Sequence, residues 1–152
     1  MKTKTKNFLI VSQLCKKPFY NASDYHNHNY NHNNNIKEIK MNTKEELKQH
    51  CRAIANFLEQ EDHGKNDDGD DFTVWDYLQD VYTINYIINS SRNYLGARIL
   101  VAGGGPNIWA NTENNCIEGY WGGDEVKVYY IDNLGLDDAL EDKAIELFNL
   151  KK

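Results

Sequence analysis

Two prolines, three cysteines and no long apolar run make up the conspicuous shortages of this 152-residue chain, and each removes a class of protein. Cys15, Cys51 and Cys116 are odd in number, far apart and without Cys-x-x-Cys spacing, so neither a disulfide framework nor a zinc site is expected and a reduced, cytosolic setting fits best. The apolar stretch Phe8-Leu9-Ile10-Val11 is too short for a signal peptide, and nothing approaches the length of a membrane helix. No Gly-Lys-Ser/Thr triplet follows a glycine-rich loop, and no serine sits in a Gly-x-Ser-x-Gly elbow.

Positive charge is also scarce, once the chain is divided. Seven lysines against Asp24 and Glu38 give residues 1–40 a net +5, whereas ten basic and 21 acidic residues give 41–152 a net −11. Such a body repels nucleic-acid phosphate and suits solubility or a basic partner surface. Residues 21–35, NASDYHNHNYNHNNN, hold too little apolar surface to offset the entropy of ordering them, so 1–40 reads as a disordered tail. The histidines there lack the cysteines and fixed spacing of a metal tract. One acidic domain over 41–152 is expected.

At its start, Thr43 and Glu46 have capping-box spacing, and Leu47, Cys51, Ile54 and Leu58 recur at helical intervals, predicting a helix over 43–60. Residues 59–71, EQEDHGKNDDGDD, predict an exposed acidic loop. Placing Gly69 at the glycine of a calcium loop puts Gly64 and Trp75 where acidic ligands are required, so the EF-hand pattern fails. Asp71 or Thr73 is set to cap a short helix through Trp75 and Leu78. Val81–Ile88, rich in β-branched and aromatic residues, predicts a strand, and Ala97–Ala102 a second.

Residues 103–124, GGGPNIWANTENNCIEGYWGGD, concentrate six of the ten glycines and two of the three tryptophans. A dinucleotide fingerprint needs a helix after its glycines, but the β-rich run Asn107-Ile108-Trp109-Ala110 follows instead. The glycines therefore read as hairpin turns: Pro106 opens the third strand, Cys116–Trp121 forms the fourth, Gly122-Gly123-Asp124 turns, and 125–131 is the fifth. Leu136, Leu140, Ala144 and Leu147 predict a closing helix over 136–150, with Asp137, Asp138, Glu141, Asp142 and Glu146 on its outer face. The fold class expected is α+β: a meander of four to five strands with an N-terminal helix, a short second helix and a C-terminal helix packed on it.

Catalytic constellations are thin. His50 and Cys51 are helix neighbours whose side chains diverge, Cys116 reads as a small core residue, His63 stands alone in the acidic loop, and Asp124 reads as a turn former. No catalytic residue, metal or cofactor is expected.

The blocks Gly104-Gly105-Pro106-Asn107-Ile108-Trp109 and Gly119-Tyr120-Trp121-Gly122-Gly123-Asp124 resemble a family of small uncharacterised proteins of phages and conjugative elements, over about residues 72–150. The resemblance implies a mobile-element accessory protein in a bacterial cytoplasm, a setting in which small acidic proteins inhibit host defence nucleases; it implies no catalytic residue. The leading expectation is a non-enzymatic inhibitor of anti-CRISPR or anti-restriction type, covering a basic nucleic-acid groove through Glu61, Asp62, Asp67, Asp68, Asp70, Asp71, Asp137, Asp138, Glu141 and Asp142. An immunity protein or antitoxin is of the same physical kind. The alternative from another class is a small-molecule or nucleotide-binding module with a pocket of Trp109, Tyr120, Trp121 and Asp124. Trp109 and Trp121 are also expected to cover the sheet face that meets the helices.

Overall fold

The computed structural model describes residues 42–150; the disordered tail expected over 1–40, and Lys151 and Lys152, lie outside them. Helix α1 spans Thr43–Leu58, α2 Val74–Gln79 and α3 Leu136–Phe148; the strands are β1 Thr83–Ile88, β2 Tyr94–Ala102, β3 Asn107–Asn111, β4 Cys116–Trp121 and β5 Asp124–Tyr129. The strands form one antiparallel sheet in the order β1-β2-β3-β4-β5, so each pairs with its sequence neighbours and the meander is as expected. Helix α1 packs on β4 and β5, and α3 on β2. The α+β class follows directly from this layering.

The helix-capping signals are partly where the sequence places them and partly displaced. Asn42, not Thr43, caps α1: its side chain accepts from the Lys44 amide at 2.9 Å, and asparagine serves this position at least as well as threonine. At α2 the full capping box is Thr73 with Asp76. Helix α3 begins after Gly135, which offers no side chain, and Asp132 substitutes by accepting from the amides of Leu136 and Asp137 at 2.9 Å each. At its other end Arg92, in the β1–β2 turn, donates to the carbonyls of Phe148 and Asn149, satisfying orphan acceptors with a cation. The β4–β5 turn is two residues, Gly122-Gly123, both at positive φ as a right-twisting hairpin needs; Asp124 belongs to β5, opposite Trp121, rather than to the turn.

The register decides which side chains share a face. Ile84, Ile99, Ala110, Ile117 and Val128 form one cross-strand row, and Ala102, Ile108, Gly119 and Val126 another. These meet Leu47, Cys51, Ile54, Phe57 and Leu58 of α1 and Leu136 and Leu140 of α3 in one core. The face is built of small residues where α1 crosses it. A Cβ on Gly119 would lie 2.5 Å from Cys51 Sγ and 2.8 Å from Leu47 Cδ1, so only glycine lets the helix sit this close.

Trp121 packs against that core, as expected. Trp109 does not. It stands between Leu100 and Glu118 in the row Thr83, Leu100, Trp109, Glu118, Lys127, on the opposite face, which carries no helix among the described residues. Ile108 and Ala110 take the helix-bearing side, and with a strand period of two the residue between them must point away.

Candidate functional site

The acidic loop after α1 is shaped by groups other than its carboxylates. Asn66 Oδ1 accepts from the amides of Asp68 and Asp70, at 3.1 and 3.0 Å, and Asn66 Nδ2 donates to Asp76 of α2. The main chain closes on itself from Asn66 to Asp70 and from Phe72 to Gly64. His63, far from standing alone, lies edge-on to Phe57 and stacks on Phe72, with Nε2 2.9 Å from the Phe57 carbonyl. Asp62 accepts from the Gly64 amide, and Asp71 pairs with Lys65 while both stay largely exposed. Among the described residues, the exposed side chains of Asp67, Asp68 and Asp70 hold none of these contacts. Hydrogen bonds from Thr73 hold the Asp76 carboxyl below its ordinary range, which keeps the α2 cap ionised.

The start of α3 is fastened to the same end of the molecule. The Asn133 amide donates to the Leu58 carbonyl, its side chain donates to the Glu59 carbonyl at 2.7 Å, and the Ile131 amide reaches the Glu59 carboxylate. The contacts tie the exit of α1, which carries Glu59, Glu61 and Asp62, to the entry of α3, which carries Asp132 and Asp138. Asp137 departs from the expected outer face. It is half-buried and accepts from Tyr94 Oη at 2.8 Å, and burial raises the Tyr94 hydroxyl far above its usual range, so that it remains a donor.

The helix-free sheet face carries a polar lattice that the sequence reading did not single out. Glu118 is only 6% exposed there, because its neighbours enclose it: Arg98 at 2.6 Å, Asn111 at 3.0 Å, Tyr120 at 3.3 Å and Lys127 at 3.8 Å. The Arg98 guanidinium also lies 4.9 Å over the Trp109 ring. Burial alone would raise the Glu118 carboxyl; hydrogen bonds from Asn111 and Arg98 and the charges of Arg98 and Lys127 outweigh it and hold the group ionised. The signal was present as single charged residues inside apolar strands, Arg98, Glu118 and Lys127. Only the register shows that they converge.

The expected aromatic pocket is not assembled by this sheet. Trp109 and Tyr120 lie on the helix-free face, whereas Trp121 and Asp124 pair with each other on the other side. Cys51 is buried against Gly119, and burial pushes its thiol up to about 11, which removes the thiolate that nucleophilic chemistry requires. Cys116 is buried as expected but on the helix-free side, with Sγ 3.8 Å from Glu118; burial first and the Glu118 charge second raise its thiol too. No group of three or more histidine, cysteine or acidic side chains among the described residues is arranged to hold a metal ion, and no helix among them is long and apolar enough to cross a membrane. Comparison with protein-family models, with curated proteins and with solved structures found no match to this chain.

Proposed function

We propose that this protein is a non-enzymatic binder of a basic protein surface, presenting the acidic loop 59–71 and the exposed side of α3 where that partner holds nucleic acid. The observation that carries the reading is the clasp of Asn133 and Ile131 on Leu58 and Glu59. It ties the start of one acidic tract to the start of another that is distant in sequence, while Asp67, Asp68 and Asp70 are left outside the contacts that shape their loop. Charges that do not hold the fold together are available to an opposing surface, where lysine and arginine pairs gain strength on desolvation and steer the encounter. The role fits an inhibitor of a host defence nuclease, of anti-CRISPR or anti-restriction type, encoded by a mobile element and acting in the cytoplasm of a bacterial cell.

The test is capture of partners from a bacterial lysate, followed by salt titration of the complex formed by the original protein and by Asp67→Asn, Asp68→Asn, Asp70→Asn and Asp71→Asn combined. Affinity should fall steeply with salt, since exposed charges are screened beyond about 8 Å at physiological ionic strength, and the quadruple variant should bind more weakly at unchanged stability. Salt-insensitive binding that survives the quadruple variant would move recognition to the helix-free face around Trp109 and Tyr120.

A further inference from the structure

The two edges of the sheet differ in a way that the acidic rim does not explain. Strand β5 carries Asp124, Glu125 and Lys127, the charged residues by which natural sheets keep an edge from pairing with another chain. Strand β1, Thr-Ile-Asn-Tyr-Ile-Ile, carries no charge and no proline, and among the described residues its outer side pairs with no strand. Beside it on the helix-bearing face, Tyr86 meets the Phe148 ring at 5.4 Å. Phe148 and its neighbour Leu147, at the end of α3, are 42% and 54% exposed. Lys143 and Glu146 of the same helix pair with each other, and Arg92 is held by the carbonyls of Phe148 and Asn149, so the cations next to this edge are engaged within the chain.

We infer that β1 and the end of α3 form a self-association surface, occupied by a second copy of this chain through antiparallel pairing of the two β1 strands into one continuous ten-stranded sheet. A twofold axis places an uncharged strand against its own equivalent and brings the two Leu147–Phe148 patches together, which is the self-complementarity an isologous interface requires. Charge selects the same site: residues 42–150 hold eight basic against 21 acidic side chains, and two copies of so acidic a body repel least along an uncharged edge. The size is adequate. Six residues at about 3.4 Å each give an edge about 20 Å long, and the flanking Leu147 and Phe148 extend it toward the roughly 600 Å² per partner at the low end of specific interfaces.

Sedimentation equilibrium of the full chain over a wide dilution series tests this. A reversible dimer is expected, weakened about tenfold or more by Thr83→Lys with Asn85→Lys, which adds like charges to exposed positions of the pairing strand, and separately by Leu147→Ser. Far-UV circular dichroism checks that each variant keeps its fold, and hydrogen exchange supplies an independent reading. The amides of 83–88 that point away from β2 should be protected at high concentration and lose that protection on dilution, while those that bond to β2 and those of β3 stay unchanged. A monomer throughout the series, a dimer unaffected by all of these substitutions, or β1 amide exchange independent of concentration would overturn the inference.

Discussion

Replacing Gly119 by alanine is the sharpest probe of how α1 sits on the sheet. The added methyl would stand 2.5 Å from Cys51 Sγ and 2.8 Å from Leu47 Cδ1, closer than any carbon packs. Both obstructing atoms are side-chain ends on one helix and both side chains are fully buried, so Cys51 and Leu47 must both turn aside within a packed core or α1 must lift from β4. Such overpacking costs about 1–3 kcal/mol. Replacing a strand glycine returns roughly 0.5–1 kcal/mol of chain entropy, which leaves a net loss of about 1–2 kcal/mol. At roughly 4–8 °C per kcal/mol for a domain near this size, the melting temperature should fall by about 4–16 °C. Urea unfolding of Gly119→Ala, of Cys51→Ala and of the double variant measures the terms separately. Cys51→Ala removes the nearest obstruction, so the double variant should be more stable than the sum of the single losses predicts. A Gly119→Ala protein as stable as the original would refute the close approach, and strict additivity would refute Cys51 as its cause.

The two strand tryptophans should separate. Trp121→Ala should cost about 2–4 kcal/mol as a partly buried core contact, whereas Trp109→Ala should cost about 1–2 kcal/mol, mainly its packing and the contact with Arg98; equal losses in urea unfolding would contradict the assignment of faces. Glu118→Gln should destabilise by about 1–3 kcal/mol at neutral pH by removing a carboxylate that accepts from Arg98 and Asn111. Glu118 ionises more readily folded than unfolded, so its contribution is complete above the ordinary glutamate pKa of about 4.3 and is lost as pH falls through its lower folded value. The gap between variant and original should therefore close on acidification. A gap that stays constant from neutral pH to about pH 3 would show that Glu118 contributes through packing alone.

The order of elements was legible because it is written in short-range signals. Val, Ile and Tyr mark β1, Gly122-Gly123 marks a hairpin, and Leu47, Cys51, Ile54 and Leu58 mark one side of α1. What was not legible depends on contacts between segments. Trp109 is larger and more apolar than Ala110, so composition favours it for the core. The helices instead approach so closely that Ala97, Ala110 and Gly119 are what fit beneath them, and the tryptophan takes the open side. Asp137 looked like one more outward carboxylate until the sheet placed Tyr94 beneath it. Glu118, Arg98, Asn111 and Lys127 come from four strands, and no pattern within one strand announces their meeting. The acidic tracts were visible as composition, but the clasp that joins them needs Asn133, a residue that carries no signal in the sequence.

The same structure shows where the few lysines and arginines of this acidic body are engaged. Arg92 is drawn to the carbonyls that end α3, Arg98 and Lys127 surround Glu118, Lys65 pairs with Asp71, and Lys143 pairs with Glu146. Of the eight basic residues among 42–150, this leaves Lys44, Lys48 and Arg52, which repeat every four residues along the exposed side of α1. The remaining cations thus lie on one helix, beside Glu45 and Glu46, while the loop after it and the exposed side of α3 carry Glu61, Asp67, Asp68, Asp70, Asp138 and Glu141. Fields of separated sign orient an approaching partner as well as attract it. A basic surface meeting this molecule is turned toward the loop and away from the α1 stripe, so neutralising Lys44, Lys48 and Arg52 should speed association with such a partner far less than neutralising the loop slows it.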